Sequence, residues 1–222
     1  MTELKRPKRW SYSSLSTYNQ CPLKWKFSYI DNIAWPSSAA MERGTRMHLM
    51  AEEFVNGKVS FIAPEIKRVG PTLLLLKGLG AKTEHTWLLD RNWQPVEHQD
   101  DAWVKAIVDV HYLINDVLFV KDHKSGQMYD DHKAQLELYS IMGLQSYPEV
   151  KRAESSAIYF DAGVEGNEGS VIRSMVPNLI KKWHGAATIM MEDDEFTARP
   201  SNYNCKWCPF SAKKGGPCPS PF

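Results

Sequence analysis

Two runs rich in Val, Ile and aromatic residues, 103–114 and 117–124, are separated only by Asn115-Asp116. Both turn residues tolerate a positive φ, so the pair predicts a β-hairpin with a two-residue turn. Closing the turn there sets Ile114 opposite Val117, and counting outward sets Asp109 opposite Asp122. Opposed residues share a face, with Cβ atoms roughly 5 Å apart, and two carboxylates so placed repel unless a cation lies between them. Oxygen ligands of this kind suit Mg²⁺ or Mn²⁺. Lys124, two residues beyond Asp122, returns to the same face, where it can stabilise charge developing on a phosphate or help position an attacking water. Asp109, Asp122 and Lys124 are the candidate catalytic residues.

Around the hairpin, TEHTWLLD from Thr83 reads as a further strand, and SSAIYFDAG and SVIRSMV as two more. Residues 130–146 follow a helical period through Ala134, Leu138, Ile141 and Met142, and 177–191 predicts another helix. Upstream, 41–56 repeats Met47, Met50, Ala51, Phe54 and Val55 at helical spacing. Residues 11–34 read as helical, with Ser13 and Ser14 as N-caps and a second helix starting near Cys21-Pro22. Residues 56–83 read as loops around a short apolar segment. The order predicts a mixed α/β core with a helical N-terminal extension.

A chain of 222 residues that is 43% apolar and 24% charged is neither disordered nor fibrous, and one domain over 1–222 is expected. The net charge of +1 decides nothing about nucleic acid, because basic residues cluster at Lys5, Arg6, Lys8 and Arg9, and again at Lys213 and Lys214. No apolar stretch approaches the about 20 residues that a bilayer needs, and MTELKRPKRW carries no secretory apolar core. The expectation is a soluble, cytoplasmic protein of a bacterial, archaeal or phage-infected cell, with no membrane partner. In that reducing setting four cysteines point to metal before disulfides. Cys205-Lys206-Trp207-Cys208 is a short chelating loop, and with Cys21 and Cys218 it makes four thiolates that fit Zn²⁺ or an iron–sulfur cluster.

Read in order, the chain contains Gly44-Thr45-x-x-His48-x-x-x-Glu52, then Glu84, then Ile107-Val108-Asp109, then Asp122-His123-Lys124-Ser125-Gly126, then Gln135-x-x-x-Tyr139. His48 and Glu52 share a helix face by spacing, as do Gln135 and Tyr139. This ordered set resembles the RecB-like branch of the PD-(D/E)XK nuclease superfamily, and in particular the CRISPR-associated four-cysteine iron–sulfur exonucleases. Where the family often has Gly three residues before the first acid this chain has Ala106, and the family's Asp-Tyr-Lys-Thr appears here as Asp122-His123-Lys124-Ser125.

The resemblance implies a restriction-endonuclease-like core sheet flanked by helices, over about 41–195. A cysteine-bound module from 11–40 and 196–222 would join the termini. It implies His48, Asp109, Asp122 and the main-chain carbonyl of His123 as ligands of Mg²⁺ or Mn²⁺, with Lys124 as the catalytic lysine. Gln135 and Tyr139 would contact DNA or order the active site. Cys21, Cys205, Cys208 and Cys218 would hold a 4Fe-4S cluster, with structural Zn²⁺ as the alternative. The implied activity is a DNA exonuclease on single strands or ends, serving recombination, phage DNA metabolism or CRISPR adaptation, with a protein partner from one of those systems. The alternative is a non-catalytic DNA-binding or assembly subunit retaining the fold and cluster. Trp10, Trp25, Trp35 and Trp207 flank the expected cluster and are candidates for stacking on bases.

Overall fold

The computed structural model describes residues 5–34, 37–129 and 132–220. In chain order the elements are α1 (Tyr12–Gln20), α2 (Pro22–Tyr29), α3 (Ala39–Val55), α4 (Gly70–Gly78), β1 (Lys82–Leu89), β2 (Val104–Ile114) and β3 (Val117–Lys124). They are followed by α5 (His132–Ser146), β4 (Arg152–Tyr159), β5 (Val164–Ile172), α6 (Val176–Glu192) and α7 (Asn202–Lys206). The fold is mixed α/β: five strands in the order β1-β2-β3-β4-β5, flanked by helices. The chain divides into two compact units, Ser38–Ile180, and Met1–Ser37 with Lys181–Phe222.

In the first unit β3 and β4 run parallel and every other pair is antiparallel. A parallel neighbour needs a crossover, which α5 supplies. Along β4 the side chains alternate between two helical layers. Ile158 and the following Phe160 pack with Met47, Ala51 and Phe54 of α3 and Leu73 and Leu76 of α4, whereas Ala157 and Tyr159 pack with Leu136 of α5. Helix α5 lies so close to the sheet that a Cβ on Gly143 would fall 2.3 Å from Leu118 Cδ2 and 2.8 Å from the Trp87 ring. Only glycine fits there.

Two segments depart from the sequence reading. Residues 70–78, expected as a short apolar segment among loops, form α4, with Pro71 in its first turn. Leu73 and Leu76 are buried while Leu74 and Leu75 are exposed, so a run of four leucines conceals an ordinary helical face. The last strand runs Val164–Ile172, so it starts six residues before the expected SVIRSMV segment and overlaps it only at Ser170, Val171 and Ile172. It sits at the sheet edge and is mostly exposed, which removes the apolar alternation that marks a strand.

In the second unit Ser11 caps α1 in a capping box with Ser14, in place of the expected Ser13 and Ser14 caps. Pro22 occupies the first turn of α2. The core is aromatic: Trp25 is fully buried against Tyr18, Tyr29 and Phe196, and Phe27 meets Phe210 edge-on at 5.3 Å. Trp10 stacks on Trp183 at 6.5 Å, and the Arg6 guanidinium donates to Met191 O and Asp193 O at 2.8 Å. These contacts assign most of α6 to this unit, which takes up the chain again at Lys181. Among the described residues no helix is long and apolar enough to cross a membrane.

Candidate active site

The β2–β3 hairpin forms in the expected register, with Ile114 opposite Val117 and Asn115 at φ 54° in the turn. Its ladder stops at Val110 opposite Lys121, one pair short of the two acids. Asp109 is the one residue of β2 with a partner in neither neighbouring ladder. On the β1 side the residue skipped is Glu84, held at φ 48°. On the β3 side the strand stays paired to β4 through Lys124 opposite Tyr159 and so leaves β2 behind. The acids therefore stand at a fork and not as a cross-strand pair. The Asp109 carboxylate turns into the gap, where Oδ2 accepts the His123 main-chain N–H at 2.6 Å. Lys124 O accepts from Phe160 N, so the peptide groups of Lys124 face β4. Those of His123 face the opposite edge, and its carbonyl shares the fork with Asp109.

The second arm of the fork carries a short polar chain. Asp122 Oδ2 lies 2.7 Å from Lys124 Nζ, an ion pair without good hydrogen-bond geometry. Lys124 Nζ donates to Gln135 Oε1 at 2.8 Å, and Gln135 Nε2 donates to Asp122 Oδ1 at 2.9 Å and to Tyr139 OH at 2.8 Å. One side-chain amide thus holds the lysine with its oxygen and the acid with its nitrogen, each in the only sense its chemistry allows. Gln135 and Tyr139 sit four residues apart on α5, as the sequence spacing requires.

His48 comes from α3, with Nδ1 3.3 Å from Asp109 Oδ1. Its helix is fastened to the residues after Lys124. Arg43 donates to Ser125 O at 3.2 Å and pairs with Asp161, and a Cβ on Gly44 would meet Ser125 Oγ at 2.9 Å. Gly44 thus lies against the residue that follows β3, where a Cβ would push the Ser125 hydroxyl aside.

Electrostatics divide the two acids. Burial is the largest single influence and works to raise the Asp109 carboxyl, but the His48 bond, the two neighbouring imidazoles and the His123 N–H together outweigh it and hold the carboxyl below the usual range. Asp122 has only 4% of its side chain exposed; burial first, and then the Asp109 charge, push its carboxyl up to about 6 against the pull of Lys124. Burial opposes a charged His48, yet Asp109, with Asp122 and Glu84 behind it, raises its pKa overall. His123 is pushed down to about 4 by burial, so its ring is neutral near neutral pH. Its Nε2 is buried without a hydrogen-bond partner. His48, Asp109 and His123 each offer a ligand atom, all within 4.8 Å of one another. The Asp109 carboxylate, the His48 ring and the unpartnered His123 imidazole nitrogen fit a divalent cation, with the Asp122 carboxyl close enough to feel the Asp109 charge.

A family model described as the PD-(D/E)XK nuclease superfamily matches residues 9–212. The chain belongs to the PD-(D/E)XK nuclease superfamily. Members of this superfamily are generally metal-dependent nucleases. No curated protein matches the chain in sequence. Among solved structures, the crystal structure of SSO0001 is similar over 100% of this chain and 90% of that one, at 15% identity and a TM-score of 0.46.

Of the residues singled out in the sequence, the first unit brings His48, Asp109, Asp122, His123, Lys124, Gln135 and Tyr139 together. Sequence reasoning assigned His123 through its carbonyl alone; the fold also turns its ring toward His48, 5.5 Å away. Glu84 shares a hollow of about 660 Å³ with His48, Glu52 and Asp109, and burial, then the Asp109 charge, raises its carboxyl. Arg43 was missed, although it adjoins the Gly44-Thr45 motif. In the second unit Cys21, Cys205, Cys208 and Cys218 are all unpaired and line one small cavity of about 30 Å³. Trp10 and Trp25 are buried and cannot stack on bases, Trp207 is 73% exposed, and Trp35 lies outside the described residues.

Proposed function

We propose that this protein is a divalent-metal-dependent DNA nuclease of the RecB-like branch, acting as an exonuclease on single strands or DNA ends. Asp109, Asp122 and Lys124 are its catalytic residues. The observation that carries this reading is the fork: Asp109 joined to His48 on one arm, and Asp122, Lys124 and Gln135 linked on the other. His48, Asp109, Asp122 and the His123 carbonyl would hold Mg²⁺ or Mn²⁺, with the His123 ring as a further donor. Such an ion, when bound, polarises a phosphate and acidifies a water so that hydrolysis proceeds near neutral pH. The Lys124 ammonium, fixed by Gln135, supplies positive charge where a phosphate oxyanion develops, and it is already oriented before substrate arrives. Tyr139 holds the Gln135 amide in the sense that leaves its oxygen to the lysine. His48 keeps the Asp109 carboxyl ionised.

The test uses end-labelled single- and double-stranded DNA with Mg²⁺ or Mn²⁺, comparing wild type with Asp122→Ala and Lys124→Ala. Loss of cleavage in both variants is expected; unchanged cleavage in both refutes the assignment. Products released one nucleotide at a time from an end support the exonuclease reading, and internal fragments oppose it.

The second unit is proposed to bind a 4Fe-4S cluster through Cys21, Cys205, Cys208 and Cys218, with structural Zn²⁺ as the alternative. A shared cavity supports a bound group, since one cysteine from the first helical pair lines it together with three from the tail. Four thiolates suit either group. Its role is structural. Visible absorbance of anaerobically purified protein, with iron and zinc analysis, decides between them: stoichiometric zinc without iron overturns the cluster. Recombination, phage DNA metabolism and CRISPR adaptation, in the cytoplasm, are the settings this activity fits.

A further inference from the structure

Tyr203 is 82% exposed and Trp207 is 73% exposed. Every other described tryptophan is buried: Trp10, Trp25, Trp87, Trp93, Trp103 and Trp183. Tyr203 lies on α7 and Trp207 is its C-cap, four residues on, so the two rings project from one side of a helical turn. Lys206 Nζ sits 5.1 Å from the Trp207 ring centroid, and the rest of the indole is open to solvent. Beside this turn lies an open hollow of about 510 Å³ with Asn202, Lys206, Ser211, Lys213 and Lys214 in its lining and no acidic residue. The sequence from Thr197 to the C-terminus has no Asp or Glu, and it carries Arg199, Lys206, Lys213 and Lys214.

We infer that this surface is a contact site for single-stranded nucleic acid. Tyr203 and Trp207 stack on neighbouring bases, and Lys206, Lys213 and Lys214 hold the adjoining phosphates. Exposed aromatic faces are wasted on a duplex, whose bases already stack on each other, whereas an unpaired strand offers a π-face at every base. Three lysines without a local acid complement a chain of phosphates rather than a mixed-charge protein surface. The inference deepens the nuclease reading by assigning a strand-holding site to the cysteine-bearing unit, and it rests on that reading for DNA as the nucleic acid.

The test is fluorescence anisotropy of end-labelled oligo(dT) of about 15 nucleotides, in EDTA so that no cleavage occurs. Trp207→Ala and Tyr203→Ala should each weaken binding roughly 5- to 100-fold, with Trp207→Phe restoring most of the loss. Lys213→Ala combined with Lys214→Ala should flatten the dependence of log affinity on log salt by about 1.4. Affinity for a blunt duplex should barely respond to Trp207→Ala. Unchanged oligo(dT) affinity in the aromatic variants overturns the proposal, as does an unchanged salt slope in the lysine variant. Equal losses on duplex and single strand overturn the single-strand assignment. Should Trp207→Ala fail to fold, the lysine variant and Trp207→Phe decide the matter. Because binding is read without cleavage, a negative result here leaves the Asp122 and Lys124 assay untouched, and the reverse also holds.

Discussion

Replacing Asp122 by Asn should stabilise the metal-free protein while abolishing cleavage. The side chain is 4% exposed, and burial with the Asp109 charge lifts its carboxyl from an ordinary 3.8 to about 6. The folded state therefore holds a proton, between pH 3.8 and 6, that the unfolded chain has already shed. Stability falls as pH rises through that window and stays low above it. At 1.36 kcal/mol per pKa unit the charged form costs about 3 kcal/mol at pH 8, and about half of that at pH 5. Asn never ionises, and its amide oxygen can still accept from Gln135 Nε2. It gives up the Lys124 ion pair, but Lys124 keeps its bond to Gln135. Thermal melts in EDTA should show Asp122→Asn melting higher at pH 8 by roughly 6–12 °C, with the gain about halved at pH 5. A gain independent of pH, or destabilisation at pH 8, would refute the claim that buried like charge strains this fork.

Saturating Mn²⁺ should raise the wild-type melting temperature, by about 2.7 kcal/mol of stability at a hundredfold excess over Kd. His48→Ala should remove most of that rise, and an undiminished shift would dismiss His48 as a ligand. Gln135→Ala should lower kcat by about 10- to 100-fold with little change in KM, because the lysine loses its fixed orientation before its contact with substrate; a purely KM effect would reassign Gln135 to binding. His111 is pushed down to about 4, chiefly by burial, so between pH 6.5 and 4 the unfolded state binds a proton that the folded state refuses. Stability is lost as pH falls through that range. From pH 8 to pH 5 the wild type should lose about 2 kcal/mol more than His111→Gln in urea titrations, and parallel losses would remove His111 from the account.

How much of this was legible in the sequence follows the range of the interactions concerned. The β2–β3 turn is local, and Asn115-Asp116 announced both its position and its register. Gln135 and Tyr139 were singled out by the motif resemblance, and their four-residue spacing set them on one helix face. The fork was not foreseeable, because β3 leaves β2 only by staying with β4, a parallel partner on the far side of α5. Glu84 at positive φ breaks the β1 ladder at the same level, and no local signal marks a glutamate for that conformation. Helix α4 was hidden by its four consecutive leucines, two of which face water. The edge strand β5, with Gly166 and Gly169 inside it, resembled a loop because its partner strand, and not its own composition, makes it a strand. The four cysteines stand as one plus three in the sequence, and only folding gives them a common cavity.

The aromatic unit is assembled from two stretches that the sheet unit separates in sequence. Residues 38–180 are contiguous and can complete their contacts as they leave the ribosome, whereas α1 and α2 must wait for everything after residue 180 to be synthesised. Until then Trp25 and Phe27 lack Phe196 and Phe210 to cover them. The growing chain thus carries an exposed aromatic surface until Phe210 has been added, and any metal held by all four cysteines can be loaded only after Cys218 is made.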